Sequence, residues 1–360
     1  MSFFRRPDNE TPEVDAARAR IEAGGITPQA EARLKALSVE GAMFTSGLSV
    51  SEFALLHRLG PQPLAQVMGA SVVRPGWQYL PALPPGEVSV AAGPWGPVMS
   101  STSLGNRMTE PSPQQVRNFK WHAEIVCELN TRADAWNLAR RRALDRLSEE
   151  ALQVGADAVV GVHLRRGDHD LGGELIDYVV SGTAVRLPDS RRNNWPVLTD
   201  VSVQDYWRLV TGGHEPRGLV AASAVVFASA PLDTRLRRTR TMARNQELAE
   251  ISEAFHMARE TVRRRIRSQV QDAQATGAVG VEFSHAVHQE KIALASSLQT
   301  YDFRGWNRGR FGIPYWVSGH SDTERRGWVI TMHAAGTAIR SRPGRPAPPT
   351  LKTTMRMGAT

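Results

Sequence analysis

The sequence predicts an α+β protein made of two tandem copies of a β-α-β-β domain. Three blocks of sequence occur twice, and the second set follows the first in the same order. The matching ranges are 44–73 with 197–226, 133–162 with 252–281, and 176–186 with 330–340. Three collinear matches are not expected by chance, so they indicate an internal repeat of a domain of ordinary size.

The first block predicts the first strand of each copy. It ends in an apolar run rich in small and β-branched residues, over 64–73 in the first copy and 218–227 in the second. A short apolar run of this composition is typical of a buried strand.

The second block predicts a helix that begins at about Ala133. Its apolar residues recur at steps of three and four, which places them on one helix face. Thr131 with Asp134 suggests the N-cap, and Gly155 suits a left-handed C-terminal end. The residues on the buried face are Trp136, Ala139, Ala143, Leu147 and Ala151, with Phe255, Ala258, Val262, Ile266 and Val270 in the second copy.

Two further strands complete each copy. The pattern predicts them over 158–164 and 175–187 in the first copy. In the second copy the corresponding strands are predicted over 278–283 and 329–339.

The offsets between the copies locate two insertions. The offset falls from 153 to 119 between the first two blocks, so the first copy carries 34 additional residues, at about 74–111. It then rises to 154, so the second copy carries 35 additional residues, at about 284–326. The predicted organisation is an N-terminal arm (1–40), a first domain (41–189), a second domain (190–341) and a disordered tail (342–360).

The composition favours a cytoplasmic protein. The chain has no apolar run of transmembrane length, and its N-terminus lacks the apolar stretch of a secretion signal. Its single cysteine, Cys127, excludes an internal disulfide and a multi-thiolate metal site.

Arginine is concentrated in one stretch of the second copy. Of the formal net charge of +8, residues 235–272 contribute ten arginines against five acids. Clustered arginine can bind nucleic acid or an anionic membrane surface, and the alternative is a solvated helix face. The candidate residues are Arg237, Arg238, Arg240, Arg263, Arg264 and Arg265.

The insertion of the second copy interleaves aromatic rings with arginines, at Arg304, Trp306, Arg308 and Arg310. Such a loop can dock a protein partner or stack bases, and the alternative is a loop that folds its own rings onto the domain. His285 and His288 are the candidate metal ligands, although residues three apart in a strand point to opposite faces. A further ligand would have to come from a neighbouring chain.

Glycine, aspartate and threonine residues at the end of the predicted helix and in the strands that follow it form a motif. This motif resembles the YbjQ-like family, which carries the label "putative heavy-metal-binding". The motif residues are Gly155, Asp157, Gly161, Gly182 and Thr183 in the first copy and Gly280, Gly336 and Thr337 in the second. The resemblance implies a dodecin-like fold, with a helix packed on a small antiparallel sheet, and assembly into a closed ring, expected to be a pentamer. The second copy lacks the acidic residue of the motif.

The sequence therefore predicts a non-enzymatic, ring-forming homo-oligomer whose insertions present an interaction surface. No serine lies in a nucleophile-elbow pattern, and no glycine cluster has the spacing of a phosphate loop. Two alternatives stay open: a metal-binding or metal-sensing protein that uses a divalent or heavy metal, and a nucleic-acid or anionic-membrane binder.

Overall fold

The computed structural model describes residues 12–37, 44–80, 125–170, 174–188, 195–230, 245, 247–293 and 324–341. The helices in these ranges are α1 (Pro12–Glu22), α2 (Pro28–Leu37), α3 (Val50–Leu59), α4 (Asn130–Gln153), α5 (Val203–Thr211) and α6 (Ala249–Asp272). The strands are β1 (Gln62–Val73), β2 (Ile125–Glu128), β3 (Ala158–Asp170), β4 (Glu174–Arg186), β5 (Val197–Leu198), β6 (His214–Ser229), β7 (Gly277–Ala293) and β8 (Glu324–Ser341).

The strands form two four-stranded sheets. Sheet 1 has the order β1-β4-β3-β5, and sheet 2 has the order β2-β6-β8-β7. The long strands pair antiparallel, whereas the two-residue strand β5 pairs parallel to β3. The predicted α+β class, with helices on small antiparallel sheets, is confirmed.

The two sheets share the same pairing register. Val67 of β1 pairs with Gly182 of β4, and Val220 of β6 pairs with Gly336 of β8, at sequence offsets of 153 and 154. Each sheet also has a bulge at matching positions in its hairpin, after Val160 and after Val279. Residues 44–188 (the first half) and 195–341 (the second half) therefore contain long strands with the same connectivity and register.

Helices and sheets alternate in four layers: sheet 1, α4, sheet 2 and α6. One apolar core joins α4 to sheet 1 and also to Val225, Phe227, Ile292 and Val329 of sheet 2. A second core joins the opposite face of sheet 2 to α6, through Ala258, Val262 and Ile266. Sheet 2 is thus covered on both faces, which explains why β6 is buried along most of its length.

Side chains of each long helix also form hydrogen bonds with backbone groups at the exposed edge of a strand. Glu150 of α4 accepts the Met68 N–H of β1 at 2.8 Å, and Arg146 donates to the Ala70 carbonyl. In the second half Gln269 accepts the Ala221 N–H at 3.0 Å, and Arg265 donates to the Ser223 carbonyl at 2.7 Å. These contacts occupy backbone groups that an edge strand would otherwise present to another chain.

Helices α1 and α2 lie beside α4. Arg146 reaches the carbonyl groups of Ile21 and Gly25, and Arg33 pairs with Glu150. Ile26 and Leu34 are buried beneath this part of the chain. The described part of the predicted N-terminal arm is therefore helical and packs beside α4.

Several sequence predictions need correction. Helix α4 begins at Asn130, and Leu129 at its N-cap makes no side-chain hydrogen bond, so the predicted cap by Thr131 is wrong. Helices α3 and α5 were not predicted, although Ser49 and Ser202 cap them. Each sheet has a short fourth strand, because β5 joins sheet 1 and β2 joins sheet 2.

The hairpin strands are longer than the apolar patterns indicated. Strand β7 continues to Ala293, so residues 284–293 of the predicted second insertion are strand. Pairing across to β8 supplies backbone hydrogen bonds that polar side chains do not prevent. Residues 81–111 and 294–323 of the two insertions, and the tail from 342, lie outside the described residues.

Candidate functional site

The best-defined group of interacting side chains lies where α4 packs on sheet 2. Trp136 of α4 stands between Tyr178 of sheet 1, with ring centroids 5.8 Å apart, and His333 of sheet 2, at 4.7 Å. Both contacts are edge-to-face, the geometry that aromatic pairs prefer. One side chain of α4 thus contacts both sheets.

A buried polar cluster surrounds His333. Its Nδ1 lies 2.8 Å from the Ser223 hydroxyl, and Arg140 of α4 donates to the same hydroxyl at 3.1 Å. Burial, together with the charges of Arg166 and Arg140, lowers the pKa of His333 to about 3. The imidazole is therefore neutral at pH 7 and acts as a packing and hydrogen-bonding group.

Two further polar contacts fix α4 to sheet 2. The Asn137 amide donates to the Ser223 carbonyl at 3.0 Å and accepts the Ser223 N–H at 3.1 Å, so it pairs with the backbone of β6. Arg132 forms a two-pronged ion pair with Glu290 of β7. Burial raises the pKa of the Glu290 carboxyl, but hydrogen bonds from Arg132 and His288 outweigh this effect and lower it to about 2.

The family-motif residues of the first half have structural roles. Gly155 adopts a left-handed conformation (φ 72°) after α4, and Gly161 does so (φ 61°) at the bulge of β3. Asp157 accepts the Leu187 N–H at 2.9 Å. A Cβ at Gly182 would lie 2.6 Å from Val159, and the Thr183 hydroxyl accepts the Gly47 N–H at 3.1 Å.

The second half repeats these roles with different side chains. Gly280 (φ 65°) forms the bulge, and the hydroxyl of Thr337 accepts the Asp200 N–H at 3.2 Å and donates to the Asp200 carboxylate. Gly336 faces Val279 and Val281 at distances that exclude a Cβ. Thr276 stands where the first half has Asp157, and its hydroxyl accepts the Ser341 N–H at 3.3 Å. The missing acidic residue is therefore replaced by another acceptor.

The two candidate metal ligands lie on different faces of β7. His285 packs edge-to-face on Phe255 of α6, whereas His288 lies 3.4 Å from Glu290 on the side of α4. Within the described ranges, no three histidine, cysteine or acidic side chains are grouped so as to hold a metal. The described residues of a single chain therefore do not fit a heavy-metal site at this pair.

The arginines of α6 face different surroundings. Arg265 pairs with Glu128 of β2 at 2.7 Å and with the β6 edge, so it stabilises the fold. Arg263 lies 3.8 Å from Glu260, and Arg264 is exposed. Arg237, Arg238, Arg240, Arg304, Trp306, Arg308 and Arg310 lie outside the described residues.

Sequence reasoning missed the residues that bind α4 to sheet 2. It placed Trp136 on the helix face that packs on its own sheet, but it assigned no role to Arg140, Asn137, Ser223 or His333. A signal was present in the aligned blocks, because Ser223 replaces Ala70 and His333 replaces Val179. These polar replacements sit on the face of sheet 2 that α4 covers.

The fold and this interface define a class: an α+β protein in which two antiparallel sheets pack on opposite sides of one helix. A family model described as "Putative heavy-metal-binding" matches residues 98–188, which include the motif from Gly155 to Thr183. A UPF0145 protein of Methanoregula boonei is 31% identical over 106 residues, 29% of this chain and 79% of that protein. The chain belongs to this UPF0145 (YbjQ-like) family.

A longer match extends beyond the family region. The encapsulin nanocompartment protein Rv1762c of Mycobacterium tuberculosis is 29% identical over 269 residues, 73% of this chain and 85% of that protein. No solved structure gives a significant match to the chain. None of the described helices is both long and apolar enough to cross a lipid bilayer.

Proposed function

We propose that the protein is a non-enzymatic assembly protein whose two halves are tandem copies of one UPF0145-type domain. One observation carries the proposal: α4 of the first half uses one face for its own sheet and another for the sheet of the second half. Domains that pack in this way within a chain can pack in the same way between chains. The name of the Mycobacterium relative, an encapsulin nanocompartment protein, supports an assembly role.

The proposed assembly is a closed ring of domains with a dodecin-like fold. A pentamer of this chain would hold ten domains, either in one ring or in two stacked rings. A closed ring covers surfaces that a free domain of this size leaves exposed to solvent. The cytoplasmic location and a protein partner for the insertions stay predictions from the sequence.

Mass measurement tests this function directly. Native mass spectrometry of the untagged chain at micromolar concentration should return a defined multiple of the 39.6 kDa chain. A monomer at that concentration would contradict the proposal. The same sample, purified without a histidine tag and assayed for bound metal, also tests the alternative at His285 and His288, where a ligand from a neighbouring chain would be required.

A nucleic-acid or anionic-membrane function has weaker support. Of the candidate arginines in α6, Arg265 is used inside the fold and Arg263 has an acidic neighbour. This alternative requires binding that weakens steeply as the salt concentration rises.

A further inference from the structure

Three exposed apolar side chains of the first half correspond to buried side chains of the second half. Val50, at the start of α3, is 88% exposed, whereas Val203, at the same place in α5, is 3% exposed. Met68 and Val72 of β1 are 44% and 64% exposed, whereas Ala221 and Val225 of β6 are 3% and 1% exposed. Each pair is related by the offset of 153.

The first half supplies the cover for the second-half residues. Val203 packs in a cluster with Leu56, Ala158 and Val160 of the first half. Val225 belongs to the core that contains α4. The equivalent side chains of the first half, Val50, Met68 and Val72, have no such cover among the described residues and are exposed. We call Val50, Met68, Val72 and residues 44–48 the leading surface.

The backbone pairing at the sheet edges shows the same difference between the halves. Residues 197–201, which lead into α5, bind the open edge of β3: Val197 donates to Asp157, Thr199 donates to Val159, and Gly161 and Val162 donate back to Val201 and Thr199. Ala158 and Val160 are buried as a result. The equivalent edge of β7 lies at residues 277–281, where Gly277 and Val279 are half-buried and Gly280 is exposed.

The outer side of α6 is the counterpart of the covered side of α4. Trp136 and Arg140 are 6% and 7% exposed beneath sheet 2. Phe255 and Arg259 occupy the same positions of α6, and both are only half-buried, while neighbouring His256 is exposed. We call the β7 edge at 277–281 and this side of α6 the trailing surface.

We propose that the trailing surface of one chain binds the leading surface of a second copy, head to tail, with the geometry that already joins the two halves. In this interface α6 covers Met68 and Val72 of the next chain, and residues 44–48 of that chain pair with the β7 edge. Within the chain, Glu52 accepts the Val203 N–H at 3.3 Å. Asp205 occupies the position of Glu52 in the second half, and in the proposed interface it accepts the Val50 N–H of the next chain.

The contact is heterologous, so each chain retains one free surface of each kind and addition continues until a ring closes. The inference rests on the proposed function and specifies which surfaces meet.

Paired cysteines test the register of this interface. Ala158 pairs with Val197 within the chain, so the equivalent residues between chains are Gly277 and Phe44. A Cβ added at Gly277 meets no atom within 4 Å, and Phe44 is 42% exposed. Registered neighbouring strands bring Cα atoms into disulfide range.

Phe44→Cys and Gly277→Cys, each in a Cys127→Ser background, are made as single variants and co-expressed. Mild oxidation of the co-expressed pair should give a covalent dimer, and each variant alone should stay uncrosslinked. The double variant Ala158→Cys/Val197→Cys in one chain is the matched control, because it should close an internal disulfide in the same register.

The outcomes separate the interface from the function. Self-crosslinking of either single variant would overturn the head-to-tail geometry. Absence of the mixed dimer, when native mass spectrometry of the same sample shows an oligomer and the control closes, would also overturn it while leaving the assembly function standing. A monomeric sample would contradict both the head-to-tail interface and the assembly function.

Discussion

Gln274 is the non-glycine residue with positive φ (50°) in the described part of the chain. It follows α6 at the place where Gly155 follows α4, and Gly155 has φ 72°. Left-handed backbone costs an ordinary L-residue about 1–2 kcal/mol, whereas glycine adopts it freely. The second half therefore carries backbone strain that the first half avoids.

Gln274→Gly should raise the free energy of unfolding by about 0.5–1 kcal/mol, because relief of strain exceeds the added flexibility of the unfolded chain. Denaturant unfolding at a fixed chain concentration measures the change. The matched variant Gly155→Gln should lower the free energy by about 1 kcal/mol or more. Equal stability of Gln274→Gly and the wild type would show that position 274 stores no strain.

Thr276 replaces Asp157 of the motif in the second half and keeps the same type of backbone hydrogen bond. Thr276 and Asp157 differ in charge, but both accept a backbone N–H at the C-terminal end of the last strand of their half. What the position requires is a hydrogen-bond acceptor on a short side chain. A sequence pattern that demands an acid at this place therefore underestimates the similarity of the halves.

Helix α4 links the two sheets through contacts that a surface helix does not make. Its Trp136 contacts Tyr178 and His333, and its Arg140 reaches Ser223. On the other side, Gly69 of β1 lets the helix approach closely, because a Cβ there would clash with the Ala143 carbonyl. The position of α4 thus depends on both sheets.

The packing of α4 on sheet 2 should weaken in acid. The ordinary pKa of histidine is 6.5, and burial lowers that of His333 to about 3. Between these pH values the unfolded chain takes up a proton that the folded chain excludes, so stability falls as the pH drops from 6.5 towards 3. The slope from this group is at most about 1.4 kcal/mol per pH unit.

Unfolding of His333→Gln across the same pH range measures this contribution. The variant should lose the part of the slope that His333 causes, and the wild type measured in parallel is the reference. Identical slopes for the wild type and His333→Gln would contradict the assignment.

Local patterns predicted the elements that bury one regular face. The spacing of Ala139, Ala143 and Leu147 indicated α4, and all three are fully buried. Helices α3 and α5 were missed because they are short, although Ser49 with Glu52 forms a capping box. The extent of the hairpins was missed because their outer residues, such as His288 and Glu290, are polar yet paired.

The layered arrangement could not be predicted from one chain's periodicity. The side of α4 that meets sheet 2 includes Asn137 and Arg140, which resemble solvent-facing residues in a helical pattern. Their shared partner, Ser223 of β6, lies 86 and 83 residues away in the sequence. Strand β2 also could not be predicted from local sequence, because its four residues form a strand by pairing with β6, which is distant in the sequence.

At the scale of the whole molecule, the interface between the two halves has exposed counterparts: the leading surface of the first half and the trailing surface of the second half. Val50, Met68 and Val72 are exposed at one end, and the β7 edge and outer side of α6 lie at the other. Full burial of an apolar side chain of this size stabilises association by about 1.5–3 kcal/mol. Repeated head-to-tail contact is the arrangement that covers these residues without a different partner.

Val72→Glu tests this account most directly. The side chain is 64% exposed in the single chain, so the substitution should leave the fold and its circular dichroism unchanged. In the proposed interface it would replace an apolar contact beneath α6 with a buried carboxylate, and the loss of hydration opposes association even if Arg259 of α6 pairs with it. Leu152→Glu, at a residue of α4 that is 42% exposed and outside the leading and trailing surfaces, is the matched control.

The decisive measurement is the native mass of the wild type, Val72→Glu and Leu152→Glu at the same micromolar concentration. The account predicts one defined multiple of 39.6 kDa for the wild type and Leu152→Glu, and the single-chain mass for Val72→Glu. A monomeric wild type, or a Val72→Glu variant that retains the wild-type mass, would contradict it.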